Sequence, residues 1–144
     1  MSELAALQTT LAAEHAAVYV LGVLGAQTSQ SVSPELFAAV SDGYAAHRGR
    51  RDHLTRTITD LGEAPVSTEV SYEVPADLGT AEAVTRRALR LERDCATTYA
   101  FLVGSTTGDL RAWALRALEM TAVRELAFRG TPEMFPGMDE YADR

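Results

Sequence analysis

Residues 62–79 read GEAPVSTEVSYEVPADLG, and they separate two halves of the chain that each have the pattern of a helix pair. Pro65 and Pro75 exclude a continuous helix here, because proline lacks the backbone N–H and clashes with the preceding turn. Residues 70–74 alternate between apolar or aromatic and polar side chains, which indicates a short extended piece. A connection of this length inside a compact domain has a topological or functional reason.

Two helices are predicted before this connection and two after it, because apolar residues recur at spacings of three and four on both sides. Ser33 followed by Pro34 is typical of a helix start, and Gly62 is typical of a helix end. The predicted helices span about 3–27, 34–61, 80–103 and 109–129. We therefore predict a single all-α domain over residues 1–144 with almost no strand.

The length of the connection decides how the two helix pairs are joined. Short links make the first helix antiparallel to the second, and the third antiparallel to the fourth. A helix of about 27 residues is about 40 Å long. About 17 extended residues reach about 56 Å, so the connection can run the full length of the bundle and leave the second and third helices parallel. One central crossover is typical of the ferritin-like four-helix bundle, and an up-down-up-down bundle is the weaker alternative.

Composition and charge restrict the partners and the compartment. The formal net charge of −7 argues against nucleic-acid binding. Cys95 is the only cysteine, so an intrachain disulfide is excluded. No secretory signal is evident, and the apolar run at residues 16–24 is too short to span a membrane. We expect a cytoplasmic protein without membrane partners, and the alanine-rich helices favour a homodimer.

Each predicted helix carries one ionisable residue on its apolar face: Glu14, His47, Glu92 and Glu119. A charge buried without a partner costs several kcal/mol, roughly, so metal coordination is the first explanation to test. In ferritin-like di-metal proteins two helices each supply one Glu and two supply a Glu-x-x-His pair. Here the second helix has Tyr44 in place of the bridging Glu, and the fourth has Ala122 in place of the His.

The chain resembles the ferritin-like superfamily, and more closely a family of alanine-rich, actinobacterial ferritin-like proteins of unknown function. The residues that carry this resemblance are 14–19 (EHAAVY), 47–52 (HRGRRD) and 135–137 (FPG). The resemblance covers nearly the whole chain and implies the fold without a settled activity. The two missing ligands put ferroxidase or oxygenase chemistry in doubt.

Two functions follow, and the sequence does not decide whether the protein is an enzyme. The favoured one is a non-catalytic bundle in which Arg51 or Arg124 neutralises the interior carboxylates, Tyr44 donates a hydrogen bond, and no cofactor is bound. Such a bundle would act through self-association or a protein partner. The alternative is an oxidoreductase-like metalloprotein that holds Fe, Mn or Zn on Glu14, His47, Glu92 and Glu119.

Overall fold

The computed structural model describes residues 2–128 and 132–138, and the regular structure of these residues is helical. The helices are α1 (Glu3–Gln27), α2 (Pro34–Asp60), α3 (Ala81–Ser105) and α4 (Gly108–Ala127). The described ranges contain no β-strand. The prediction of an all-α four-helix bundle is therefore confirmed.

Local signals explain where the helices begin and end. The hydroxyls of Ser2 and Thr80 accept hydrogen bonds from backbone N–H groups of the first turns of α1 and α3, at 3.2 and 3.1 Å. Gly62 follows α2 with a φ of +80°, a left-handed conformation that glycine adopts without strain. Thr107 is the N-cap of α4, so this helix begins slightly before its predicted start, and Asp109 lies in the first turn.

Two apolar clusters, one toward each end of the bundle, establish the helix directions. The first joins the beginnings of α1 and α4 to the ends of α2 and α3, through Leu7, Leu54, Leu102 and Leu118 among others. The second joins the end of α1 to the beginnings of α2 and α3. Helices α2 and α3 are therefore parallel to each other and antiparallel to α1, as the long crossover predicts.

The crossover follows α1 along its length. The Gln8 side chain donates to the Ala64 carbonyl at 2.7 Å and accepts from the Val66 N–H at 2.8 Å. His15 Nε2 donates to the Val66 carbonyl at 3.0 Å, so His15 positions the crossover. Further along, the rings of Tyr19 and Tyr72 lie 5.5 Å apart. These contacts give residues 62–79 a structural role.

Helix α1 is long and apolar enough, by length and composition alone, to cross a membrane. In this structure nine of its residues are buried against the other helices, Glu14 among them.

A short turn near the end of the chain packs on α3. Gly137 has a φ of +84°, and a Cβ atom there would collide with the Ala96 carbonyl and the Ala100 side chain. The Met138 N–H donates to the Phe135 carbonyl at 3.1 Å, which closes the turn. The Phe-Pro-Gly sequence is thus a packed turn, as its composition indicates.

The predicted inward face of α4 was wrong. Its buried residues are Ala114, Ala117, Leu118, Thr121 and Glu125. An interior Glu119 would place Ala112, Leu115 and Leu126 on the same inward line, but these residues and Glu119 are exposed, and Ala122 is only partly buried. Helix α4 is apolar over a broad arc, so periodicity alone does not choose a face, and small residues at 114, 117 and 121 allow close packing instead.

Candidate functional site

A layer of polar side chains crosses the bundle between the two apolar clusters. Glu14 of α1, His47 of α2 and Glu92 of α3 are 1%, 0% and 0% exposed. Each lies near the middle of its helix and faces inward with the apolar residues spaced three or four positions away. The structure therefore brings together three of the four residues that the sequence singled out. With Tyr99 and Arg124 they form what we call the buried polar layer.

His47 lies at the centre of this layer and contacts a carboxylate on each side. Its Nδ1 lies 2.7 Å from Glu14 Oε2, and its Nε2 lies 3.3 Å from both oxygens of Glu92. An ionised carboxylate only accepts hydrogen bonds, so both ring nitrogens carry protons in this arrangement. Burial lowers the pKa of His47, but the charges and hydrogen bonds of Glu14 and Glu92 outweigh it and raise the pKa to about 8.

Glu14 and Glu92 each have a second partner, which comes from α3 for Glu14 and from α4 for Glu92. Tyr99 donates its hydroxyl to Glu14 Oε1 at 2.5 Å, so Tyr99 rather than the predicted Tyr44 supplies this hydrogen bond. Burial and the charge of Glu14 raise the pKa of the Tyr99 phenol well above its usual range, which keeps it protonated. Arg124 Nε lies 3.1 Å from Glu92 Oε1. Two carboxylates thus face one imidazolium and one guanidinium, so the layer has no net charge.

Arg51 was the first candidate for the neutralising cation, and the structure places it elsewhere. Its guanidinium is 29% exposed and pairs with the neighbouring Asp52 at 2.7 Å. The preceding Arg50 is buried instead, where it donates to the Thr121 hydroxyl at 2.7 Å and to the Ala117 carbonyl at 2.8 Å. Positions three and four after His47 lie on opposite sides of its face, and the buried stripe of α2 includes Arg50 and leaves Arg51 at its edge.

Glu125 is an interior carboxylate that the sequence pattern of α4 did not predict. It is 2% exposed, and its Oε2 lies 3.6 Å from Arg93 Nε. Burial and the charge of Glu133 raise the pKa of Glu125 to about 7, against the lowering effect of Arg93. The signal that could have found it is the alternative line on α4 through Ala114, Leu118 and Thr121, which continues to Glu125.

The geometry of these donors does not fit a shared metal ion without rearrangement. Glu14 and Glu92 contact different nitrogens of one imidazole, so the ring separates the two carboxylates. Glu119 is exposed on the outer surface of α4, contrary to its predicted interior position. Within residues 2–128 and 132–138, no three His, Cys, Asp or Glu side chains are placed to hold one ion.

The two raised pKa values predict that stability falls as the pH rises. The His47 contribution is fully present below its unfolded pKa of 6.5 and is lost as the pH rises through about 8. A shift of this size corresponds to about 2 kcal/mol. The contribution of Glu125 to stability is likewise lost as the pH rises from 4.5 to about 7, because the folded state favours its protonated form.

Urea unfolding at pH 5.5, 7 and 8.5, followed by circular dichroism, measures this effect. We expect the free energy of unfolding to fall across the series. Glu125→Gln is the matched control, since it should flatten the lower part of the profile and leave the decline above pH 7. A free energy of unfolding that rises from pH 5.5 to 8.5 would contradict the prediction.

Comparisons with known proteins identify a family and a similar structure, but neither has a described activity. The sequence profile of a family described as "Domain of unknown function (DUF4439)" matches residues 6–140. The chain is also similar to a crystal structure of a conserved hypothetical protein, rv2844, from Mycobacterium tuberculosis, with 30% sequence identity and a TM-score of 0.79. That match covers 88% of this chain and 94% of the other. No curated protein matches the chain.

Proposed function

The chain belongs to the DUF4439 family, and from this membership and its buried polar layer we propose a non-catalytic ferritin-like bundle that acts through self-association or a protein partner. In this proposal the layer occupies the place of a di-metal site and holds no metal. The helix directions and the single long crossover support the ferritin-like assignment.

The observation that carries this proposal is the position of His47 between two carboxylates. A histidine that ligates a metal offers an unprotonated nitrogen. Here each ring nitrogen faces a carboxylate oxygen, and Arg124 adds a second cation beside Glu92. A divalent ion would have to displace the imidazolium proton and the guanidinium from the same carboxylates. The internal cations therefore already supply the charge balance that a metal supplies in a di-metal site.

The second candidate is a metalloprotein with a reduced site, oxidoreductase-like in character. It is favoured by one observation, that Glu14, His47 and Glu92 come from three helices and meet in the interior. Fe, Mn or Zn would suit this set of carboxylate and imidazole donors. These residues would hold the ion, and the ion would supply redox or Lewis-acid chemistry.

Elemental analysis of protein purified without chelators separates the two candidates. Cells are supplied with Fe, Mn and Zn, and wild type, Glu92→Gln and Glu119→Gln are compared. Glu119→Gln is the matched control, because it makes the same change on the exposed face of α4. We expect substoichiometric metal that is equal in all three proteins. Stoichiometric metal that only Glu92→Gln abolishes would overturn the metal-free proposal.

A further inference from the structure

Helices α1 and α3 do not close completely against each other, and a cavity of about 150 Å³ lies between them. On the α1 side the lining is mostly alanine, and a methyl side chain is too short to fill the space between two helices. An apolar cavity of this volume holds a molecule of roughly six carbon atoms, such as benzene. We call this space the α1–α3 cavity. Its apolar lining consists of Ala13, Ala16, Ala17, Val20, Leu91 and Cys95.

The lining also contains a cation that lacks an acceptor. Arg87 lines the cavity from α3, and its Nη1 atom is buried without a hydrogen-bond partner. In the part of the chain that the structure describes, Arg87 forms no ion pair, whereas the adjacent and exposed Arg86 pairs with Glu82 at 3.2 Å. A buried donor without an acceptor destabilises the folded state, and a ligand that supplies the acceptor removes this cost. The cavity therefore favours an anionic ligand.

We propose that the α1–α3 cavity binds a small aliphatic monocarboxylate, with its carboxylate on Arg87 and its chain against the alanines of α1. This site goes beyond the proposed function, because it adds a small-molecule ligand to the bundle. The guanidinium presents N–H groups in a planar fork that matches a carboxylate in shape and charge. The chain displaces water from the apolar lining, which favours binding in proportion to the apolar area that is buried.

The arrangement of the lining restricts the charge and the orientation of the ligand. Among the described residues Arg87 is the only cation of the lining, so a dianion would keep one charge without a counter-ion. Because α3 runs antiparallel to α1, Arg87 lies toward the Val20 end of the cavity. Asp94 lines the cavity two turns further along α3, about 10 Å away, and is exposed to solvent. The carboxylate of the ligand therefore lies apart from that of Asp94.

Titration of ¹⁵N-labelled protein with hexanoate at neutral pH and constant ionic strength, followed by amide chemical shifts, tests the site. We expect saturable shifts centred on residues 13–20 and 87–98. The dissociation constant should be on the order of 1 mM for a ligand of this size. Hexanamide has nearly the same shape without the charge and should bind about tenfold more weakly or worse. Hexylamine brings a second cation to Arg87 and should give no saturable shifts.

Variants at neighbouring positions separate the charge of Arg87 from its structural role. Arg87→Gln should weaken hexanoate binding by about tenfold or more and leave the affinity for hexanamide within about threefold of wild type. A purely structural role for Arg87 would change both affinities alike. Arg86→Gln is the matched control, because it makes the same substitution on the adjacent side chain, which is 66% exposed. Ala16→Leu fills the cavity and should abolish binding, and unchanged amide shifts far from the cavity show that this variant folds.

Three results would overturn the proposal. The first is the absence of saturable shifts with hexanoate up to about 20 mM. The second is equal affinity of hexanoate for Arg87→Gln and wild type, and the third is saturable binding whose shifts centre outside α1 and α3. None of these results bears on the metal content of the buried polar layer or on self-association, so a failure here is distinguishable from a failure of the proposed function.

Discussion

The variant His47→Leu is expected to lower the free energy of unfolding by about 4 kcal/mol near neutral pH, because it leaves Glu14 and Glu92 buried without the cation between them. Leucine and histidine are similar in size, so the loss reflects charge more than a cavity. In a chain of 144 residues this corresponds to a fall in Tm of about 10–15 °C. Thermal and urea unfolding followed by circular dichroism measure both quantities.

Arg51→Ala is the matched control for His47→Leu. Arg51 is on the same helix but is partly exposed and pairs with the exposed Asp52. Surface pairs contribute little, so this change should cost less than about 0.5 kcal/mol. Because the wild-type protein loses the imidazolium charge as the pH rises through about 8, the difference between His47→Leu and wild type should shrink there. Equal losses for the two variants, or a difference that does not depend on pH, would contradict the imidazolium assignment.

Replacing the whole polar layer with apolar residues is expected to preserve or increase stability. The variant combines Glu14→Met, His47→Leu, Glu92→Met, Tyr99→Phe and Arg124→Met, which removes two negative and two positive charges together with the phenol hydroxyl. Apolar replacement of a complete buried ion network is neutral or stabilising by about 1–4 kcal/mol in other proteins. The comparison with His47→Leu is informative, because one change should be severely destabilising and five changes should not.

Urea unfolding of the fivefold variant at pH 5.5 and 8.5 checks this expectation. The free energy of unfolding of this variant should also no longer show the part of the pH dependence that His47 causes. If the variant folds but is several kcal/mol less stable than wild type, the layer contributes net stability beyond charge balance. A variant in which Glu119→Met replaces Glu92→Met keeps one buried carboxylate without its cations, and it should be strongly destabilised.

Much of the architecture could be predicted from the chain. The proline-containing residues 62–79 predicted a crossover that spans the bundle, and the structure confirms it. The interior positions of Glu14, His47 and Glu92 were also predicted correctly, because each interrupts a regular apolar stripe. The stripe of α3 that includes Leu91 and Leu102 is buried as its spacing indicates.

The partners of the buried charges could not be predicted. Arg50 and Arg51 are adjacent in sequence and about 100° apart around α2, so a small rotation of the helix decides which one is buried. The contact of Tyr99 with Glu14 joins residues 85 positions apart in the chain. Such contacts depend on how α1 and α3 are aligned along their axes, and no local pattern records that alignment.

The sequence by itself determined the number of helices, their connection and three of the buried ionisable residues, because these depend on periodicity and chain reach. Only the tertiary structure decided which face of α4 is buried, and with it the exposure of Glu119 and the burial of Glu125. The physical reason is that α4 is apolar over a broad arc, so hydrophobicity does not choose between its possible inward faces. Close packing against α3 selects the face with the smaller side chains, and the larger apolar residues are left on the outside.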